Sequence, residues 1–462
     1  MSKISQNMIY KMRSKSPQIL YAVSASLGAF VIGTILGWSS PTLPMLESGE
    51  AVSFEVTSAG AATAGSLFGL GAVIGAVPAG AVSSAFGRKV SLLVSEAHVL
   101  FGWLMIAFPQ AMRMLYIGRI LQGVGCGAMC AIIPTYVGEI AEADIRGFLG
   151  GMYQLFIVSG IFYSYVLGNV LTYSQLNFAC AMWMFVHIIA VVYMPESPYY
   201  FIRAGKTEKA SDQLARLRKY GHDFQAELKE IQTFVDDEQK NQYTAREVLE
   251  KDVNRKALII GVGCMFFQQL SGINVLIFYL KHIFESSGSN ISPALSTTIV
   301  GVTQVVMTFV AMLVTDKWGR RTLMIYSMTS MGISFMALSY YYFVKTHNFK
   351  IADSLSWLPL AAIIVYIAMF SVGCGPLPFV IIGEIFSSEL KSLGTGIATA
   401  TNWILVWLVT CLSTPLDTLI GPSGAFFVYS GFCFLGMLFV VNRVPETKNR
   451  SLAEIQSDLE KY

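Results

Sequence analysis

The chain carries three short charged motifs in its first half and repeats them, in the same order, in its second half. Each motif lies at the edge of a long apolar run. The pairs are Gly87-Arg88-Lys89 with Gly319-Arg320-Arg321, Gly138-Glu139-Ile140 with Gly383-Glu384-Ile385, and Pro195-Glu196-Ser197 with Pro445-Glu446-Thr447. This duplication indicates two related membrane-embedded halves. Internally repeated halves that rock about a central site are a common way to build a transporter.

The apolar residues are segmented in a way that predicts membrane spans. The 462-residue chain is 54% hydrophobic and 13% charged, too apolar for an ordinary soluble protein. Twelve runs have the length that a helix needs to cross a bilayer, and lipid gives their backbone no hydrogen-bond partner, so each is predicted to be a helix. The runs cover about 18–39, 57–85, 90–110, 112–137, 148–172, 177–194, 255–284, 292–316, 321–344, 357–386, 391–416 and 422–443. We therefore expect an all-α membrane protein.

The basic residues predict how the chain is oriented. Most of the 32 Lys and Arg residues share one side of the membrane if both termini are cytosolic. The sequence thus predicts a multi-pass plasma-membrane protein, and the Asn290 sequon falls on the outer side. The expected units are an N-terminal six-helix half (1–194), a cytosolic linker of amphipathic helices (195–254), a C-terminal six-helix half (255–444) and a cytosolic tail (445–462).

Several functional classes find no support in the motifs. The chain has no P-loop pattern, and its seven cysteines lack metal-ligand spacing. The polar segment 195–254 holds no paired base and nucleophile. We expect no enzyme activity, no cofactor or metal and no nucleic-acid partner. The expected partners are a small molecule and the lipid bilayer, and the oligomeric state stays open.

Uncharged polar side chains inside the predicted spans indicate a ligand site. Gln268, Gln269 and Asn274 lie in the seventh span, and carboxamides both donate and accept hydrogen bonds without charge. This chemistry suits a neutral polyhydroxylated ligand; the alternative is that they join helices to one another. Further candidates at similar depth are Gln154, Gln304 and Asn402, with flat apolar faces from Phe379 and Trp403.

Two spans are predicted to break. Ser271-Gly272 weakens the helix of the seventh span. Pro376 and Pro378 in the tenth span leave backbone carbonyls without intrahelical donors. We interpret this second break as a gate hinge, with a static kink as the alternative.

The charged motifs predict a gate built from ion pairs. A carboxylate at a helix end can pair with arginines of neighbouring helices and hold one conformation. Arg119 stands apart because it lies within the fourth span, where an arginine is costly and faces the bundle interior. The candidate gating charges are Arg88, Arg119, Glu139, Arg146, Glu196, Asp316, Arg320, Arg321, Glu384, Lys391 and Glu446.

These motifs resemble the sugar porter family of the major facilitator superfamily. The segment 268–274 is similar to the family's QQLSGIN, 195–198 to PESP, 445–448 to PETK, and Gly118-Arg119 with Gly123 to GRxxxG. The resemblance implies two six-helix halves, alternating access and a sugar ligand. It also implies that Gln154, Gln268, Gln269 and Asn274 bind the sugar, that Gln304, Phe379, Asn402 and Trp403 line the same cavity, and that Tyr279 is an outer-gate aromatic.

Departures from the family pattern refine this expectation. Ile35 stands where proton-coupled members carry Asp, which favours facilitative uniport; proton symport and a non-transporting sugar sensor are the alternatives. Ser84 stands where the first-half motif carries Asp, so we expect a weaker charged contact in the first half than in the second. The sequence further resembles the insect branch of facilitated trehalose transporters, and it leaves trehalose and hexoses such as glucose open.

Overall fold

The structure is a computed structural model that describes residues 15–49, 51–218, 224–240, 244–288 and 291–461. Its first six helices run back and forth along the chain and correspond to the first six predicted spans. They are α1 (Ser16–Glu47), α2 (Ser58–Phe86), α3 (Arg88–Ala107), α4 (Met112–Ile140), α5 (Ala143–Leu167) and α6 (Tyr173–Tyr193). We call α1–α6 the first half.

The second half contains the remaining six predicted spans, and not all of them are single helices. It comprises α11 (Asp252–Leu270), α12 (Ile273–Ser287), α13 (Pro293–Trp318), α14 (Arg320–His347), α15 (Phe349–Ser354), α16 (Leu358–Val372), α17 (Leu377–Ile385) and α18 (Ser388–Arg443). The seventh span is divided into α11 and α12, and the tenth into α16 and α17. The helix α18 contains both last spans and changes direction at Gly421, whose φ of 74° favours glycine.

Short amphipathic helices fill the polar stretch between the halves. They are α7 (Pro198–Arg203), α8 (Thr207–Leu217), α9 (Phe224–Lys240) and α10 (Ala245–Glu250), and α19 (Leu452–Lys461) follows the last span. Leu214 of α8 and Leu228, Ile231 and Val235 of α9 form one small apolar cluster. The helical spacing of these residues in the sequence anticipated this packing.

Within the described residues, 11 helices are long and apolar enough to cross a membrane, and the last of them is long enough to cross twice. The all-α, twelve-span architecture is therefore confirmed. Two predicted boundaries were wrong. The first span continues through Pro41 and Pro44 to Glu47, and the fifth begins at Ala143 because the polar turn before it is short.

We name the two ends of the bundle by what they carry. The motif face is the end where α1 begins and where both copies of the repeated motifs lie; the other end is the opposite face. Among the cysteines, five are buried, Cys130 is half-buried and Cys411 is exposed. All seven are free thiols.

Close approach of helix backbones holds the first half together. α2 packs along α4, and small residues allow their backbones to touch, as is common for helices in lipid. A Cβ added at Gly127 of α4 would lie 2.1 Å from the carbonyl oxygen of Ala72 on α2. By contrast, a Cβ added at Gly138 of the same helix would meet no atom within 4 Å.

This contrast predicts opposite effects of the same substitution on one helix. Gly127→Ala forces α2 and α4 apart and should lower the melting temperature of the purified protein, at a cost of about 1–3 kcal/mol. Gly138→Ala adds a methyl group into open space and should leave the melting temperature unchanged or slightly raised. Thermal unfolding of both variants in detergent tests this, and an unchanged melting temperature for Gly127→Ala would contradict the packing described.

Candidate functional site

The breaks of the seventh and tenth spans lie side by side in the second half. Gly272 adopts a φ of 85°, which ends α11 and redirects the chain into α12, as the Ser271-Gly272 pair predicted. The residues between Val372 and Leu377 are not helical. Tyr366 fastens the first break to the tenth span, since its hydroxyl donates to the Ser271 carbonyl at 2.9 Å.

Four predicted site residues form one hydrogen-bonded carboxamide cluster, consisting of Gln268, Gln269, Asn274 and Asn402. The Oε1 of Gln268 accepts from Asn402 Nδ2 at 2.9 Å and from Gln269 Nε2 at 3.2 Å. The Oε1 of Gln269 accepts in turn from Asn274 Nδ2. All four side chains are buried, between 2% and 7% exposed. The seventh and eleventh spans thus present a continuous uncharged polar surface.

The carboxamide cluster also reaches the broken tenth span. The Nε2 of Gln268 donates to the carbonyl oxygens of Cys374 and Gly375, each at 2.8 Å. The break is where sequence placed it: α16 ends at Val372, before both prolines, and α17 begins at Leu377, with Pro378 in its first turn.

Aromatic side chains flank the carboxamide cluster. Trp403 is 8% exposed and meets Phe68 of α2 edge-on, with ring centroids 5.9 Å apart. Phe68 also meets Phe278 edge-on at 6.4 Å. Phe379 is 52% exposed on α17. The site therefore has apolar walls from both halves.

Two predicted ligand residues stand apart from this cluster. Gln304 is buried on α13 at 3% exposure, and Gln154 is half-buried on α5. Among the described residues, neither donates or accepts a hydrogen bond with the carboxamide cluster.

Arg119 is fully buried and its charge is met by neutral acceptors. It donates to the Ile35 and Ala64 carbonyls, both at 3.3 Å, and to the Ser39 hydroxyl at 3.0 Å. Its guanidinium lies 4.9 Å from the Trp38 ring centre and 5.0 Å from that of Phe68. Cation–π contacts of this kind strengthen when water is excluded. No described carboxylate forms an ion pair with it.

The two halves meet at the opposite face. The Tyr279 hydroxyl lies 3.5 Å from the Ala62 carbonyl of α2 and 3.3 Å from the Thr410 carbonyl of α18, as donor. Tyr165 of the first half donates to the Ile277 carbonyl at 2.8 Å, and Asn169 donates to the Ala294 carbonyl at 2.9 Å. These contacts join the halves beyond the carboxamide cluster and close this end of the bundle.

Several glycines on the motif-face side of both halves are exposed. A Cβ added at Gly150, Gly383 or Gly396 would meet no atom within 4 Å. By helical spacing, Gly150 shares a face with Gln154, and Gly383 shares a face with Phe379. Next to these glycines, the halves approach each other at one place, where a Cβ added at Gly151 would lie 2.9 Å from the Met312 side chain.

The repeated arginine–glutamate pairs lie at the motif face, and each stays within its own half. Arg88 is 2% exposed and binds both oxygens of Glu139, at 2.6 and 2.9 Å. Arg320 binds only Oε1 of Glu384, at 3.0 and 3.1 Å, and Oε2 of Glu384 is buried without a partner. Of the two arginines, Arg88 is the more deeply enclosed and binds its glutamate through both carboxylate oxygens. The expectation of a weaker first-half contact concerns Ser84 and Asp316, and it stays a prediction because the Asp316 side chain lies outside the described part of the chain.

Glu196 and Glu446 act as matching caps on the helices that follow the two turns. Glu196 accepts from the backbone nitrogens of Arg88 at 3.0 Å and Lys89 at 3.1 Å. Glu446 accepts from those of Arg320 at 2.9 Å and Arg321 at 3.2 Å. A carboxylate is favoured at a helix N-terminus. Burial raises the pKa of Glu196, although these donors oppose that shift.

The other predicted gating residues take varied positions. Arg321 donates to the Val441 carbonyl at 2.5 Å. Arg146 is exposed and donates to the Ala141 carbonyl at 3.2 Å, and Lys391 is exposed on α18. Pro376 and Pro378 lie at the start of α17. The side chain of Asp316 and all of Asn290 lie outside the described part of the chain.

Sequence reasoning missed three contributors to this site. Ser327 of α14 accepts from the Cys374 nitrogen at 3.0 Å and donates to the Met369 carbonyl at 2.8 Å, which fixes the far side of the break. Phe68 and Tyr165 join the halves. None carries a sequence signal, since a serine, a phenylalanine or a tyrosine in an apolar span is ordinary.

Two membrane-embedded halves around a buried, uncharged polar site define a membrane transporter. Residues 21–459 match the family described as sugar (and other) transporter. The chain belongs to this family.

Comparison with known proteins agrees with this assignment. The chain is 35% identical to the facilitated trehalose transporter of Culex quinquefasciatus, over 95% of this chain and 85% of that protein. It is 34% identical to the protein of the same name from Aedes aegypti, where it spans 54% of the longer relative. A solved structure of the major facilitator proton:xylose symporter XylE, bound to 6-bromo-6-deoxy-D-glucose, matches 96% of this chain and 100% of that chain with a TM-score of 0.79 and 24% identity. This last likeness confirms the major facilitator fold.

The unequal arginine–glutamate pairs predict unequal effects of one substitution. Glu139→Gln leaves the buried Arg88 without its charge partner and should destabilise the protein by about 3 kcal/mol. Glu384→Gln affects a more exposed pair in which one carboxylate oxygen is engaged, so the melting temperature should fall less. Thermal unfolding of both variants in detergent checks this, and an equal or larger fall for Glu384→Gln would refute it.

Proposed function

We propose that the protein is a facilitative uniporter for a neutral sugar, trehalose or a hexose such as glucose. The observation that carries this proposal is the carboxamide cluster. Its four buried side chains provide donors and acceptors without charge, which matches the hydroxyl groups of a sugar. Trp403 and Phe379 add flat apolar faces of the kind that suit a sugar ring. We place Gln154 and Gln304 on the walls of the same cavity.

The environment of Arg119 supports uniport. Carbonyls, a hydroxyl and two aromatic rings surround this arginine, and Ile35 contributes its carbonyl where a proton-coupled relative would carry a carboxylate side chain. A site of this kind has no acid to take up a proton together with the sugar.

The choice of sugar rests on two arguments of unequal weight. Relatives that are about one-third identical to this chain are named facilitated trehalose transporters, which favours trehalose. The uncharged cluster itself suits any sugar of sufficient size.

The proposed cycle is alternating access between the two faces. Residues 1–194 and 255–444 rock as two halves, residues 195–254 link them on the cytosolic side, and 445–462 form a cytosolic tail. Tyr279 gates the outer side, whereas the repeated charged motifs and the span-ten prolines act at the cytosolic motif face of a plasma-membrane protein. Basic residues concentrated at that face support this orientation.

A second candidate function is proton-coupled sugar symport, and one buried pair favours it. Glu96 of α3 and His187 of α6 are 0% exposed and hydrogen-bonded to each other. Glu96 Oε2 and His187 Nε2 are buried without partners. Both residues belong to the first half, so rocking of the halves leaves their contact unchanged, which weakens this candidate.

Uptake into sealed liposomes separates the two functions. Uniport predicts that labelled trehalose or glucose enters until the inner and outer concentrations are equal, and that a proton uncoupler has no effect. Protein-free liposomes and labelled L-glucose are the controls. The liposomes carry an imposed inward proton gradient, which would drive a symporter to accumulate sugar. Accumulation above the external concentration that collapses with the uncoupler would refute uniport and direct attention to Glu96 and His187.

The cluster assignment predicts the effect of removing one carboxamide. Gln269→Ala should lower sugar uptake more than tenfold at normal surface expression, because two lost hydrogen bonds of about 1 kcal/mol each exceed the ~1.4 kcal/mol of a tenfold change. Asn442→Ala is the matched control. This exposed carboxamide of α18 bonds only its own helix, at the Leu438 carbonyl, 2.8 Å away. Unchanged uptake in Gln269→Ala would remove it from the site.

A further inference from the structure

The broken tenth span has a defect that its own backbone cannot repair. In a continuous helix the carbonyl of Cys374 would accept from the backbone nitrogen four residues later. That residue is Pro378, which has no N–H. The carbonyls of Cys374 and Gly375 both lie in the non-helical stretch, buried at membrane depth, where an unpaired carbonyl is costly.

Gln268 repairs this defect with its whole carboxamide. Both carbonyls accept from its Nε2, each at 2.8 Å. Its Oε1 accepts from Asn402 and from Gln269. A carboxamide has two N–H donors and one oxygen with two lone pairs. All four are used within the protein, so Gln268 has no hydrogen-bonding capacity left for a ligand in this form.

We propose that Gln268 is a positioning residue that couples the sugar site to the break in the tenth span. This inference rests on the proposed sugar transport and gives Gln268 a role different from that of a simple ligand. Sugar hydroxyls that bind Asn402 and Gln269 compete for the hydrogen bonds these side chains make to the Gln268 oxygen. Loss of those bonds frees the carboxamide to turn, which releases the Cys374 and Gly375 carbonyls and lets α17 move.

The side of the break that is held by Ser327 is not connected to the predicted sugar-binding residues. Ser327 holds the Cys374 nitrogen and the Met369 carbonyl from α14, away from the carboxamide cluster. Of the two side chains that hold the break, Gln268 is the one bonded to the predicted sugar-binding residues. Sugar therefore acts on the break through Gln268, while Ser327 fixes the end of α16 on which α17 turns.

A double-mutant cycle between Gln268→Met and Pro378→Ala tests the coupling. Methionine keeps the length of the side chain and removes its donors. Alanine at 378 returns an N–H four residues after Cys374, so its carbonyl regains a partner and depends less on Gln268. In sugar counterflow, Gln268→Met should lower the maximal rate at least tenfold in the native background, because the carbonyls are then released whether or not sugar is bound and sugar no longer drives the movement of α17. The loss should be less than threefold in the Pro378→Ala background, where the alanine N–H has already taken the Cys374 carbonyl out of that control. The half-saturating sugar concentration should change less than threefold.

An equal loss in both backgrounds, with a raised half-saturating concentration, would overturn the proposal and make Gln268 a sugar ligand only. Ser327→Ala combined with Gln268→Met is the matched control. It loosens the same break without restoring a donor to Cys374, so the tenfold loss should persist.

The same double-mutant cycle, measured by thermal unfolding, distinguishes a failure of this proposal from a failure of the proposed function. Without sugar, Gln268→Met should lower the melting temperature more in the native background than in Pro378→Ala. If no sugar gives counterflow with the native protein, the proposed function fails, and a non-additive melting temperature still supports the contact between Gln268 and the break. Additive melting temperatures together with equal transport losses would refute the coupling while leaving sugar transport intact.

Discussion

The absence of water in the bilayer core is the constraint on which this structure depends. Every polar group within a span must find a partner inside the protein. Arg119 meets this demand with carbonyls, a hydroxyl and two rings, and Tyr366 meets it by bonding the broken seventh span. Gln268 meets it for two groups at once, its own carboxamide and the two carbonyls left unpaired by the break in the tenth span. The polar features expected to bind a ligand are thus also the features that hold the helices together.

The two halves use one set of motifs with different results. In both, a glycine turn is followed by a helix whose first backbone nitrogens bond a glutamate from the end of the half. The arginine–glutamate pair beside it is bidentate and enclosed in the first half but looser in the second. The second half also contains both broken spans and the carboxamide cluster. The first half holds the more enclosed ion pair, and the second half holds the buried carboxamides beside the broken spans.

Sequence was sufficient for the features that depend on local composition. Span number, the breaks at Gly272 and before Pro376, and the amphipathic linker helices follow from hydropathy, glycine and proline. The residues of the carboxamide cluster were also identified, because such side chains are rare in apolar runs. The partners were not predictable. Whether Gln268 faces a ligand or a carbonyl, and which arginine–glutamate pair is tighter, depend on helix packing, which no local pattern encodes. For the same reason, Ser327 and Phe68 gave no signal.

The long helix α18 connects the carboxamide cluster to the contact that joins the halves at the opposite face. Asn402 of the carboxamide cluster and Thr410, whose carbonyl holds the Tyr279 hydroxyl, lie on the same uninterrupted stretch of α18 before Gly421. Two turns of a rigid rod separate them, about 12 Å at 1.5 Å per residue. A tilt of that rod which enlarges the space beside Asn402 also displaces the acceptor that Tyr279 needs. The space beside Asn402 and the Tyr279 contact at the opposite face therefore both depend on the position of one helix.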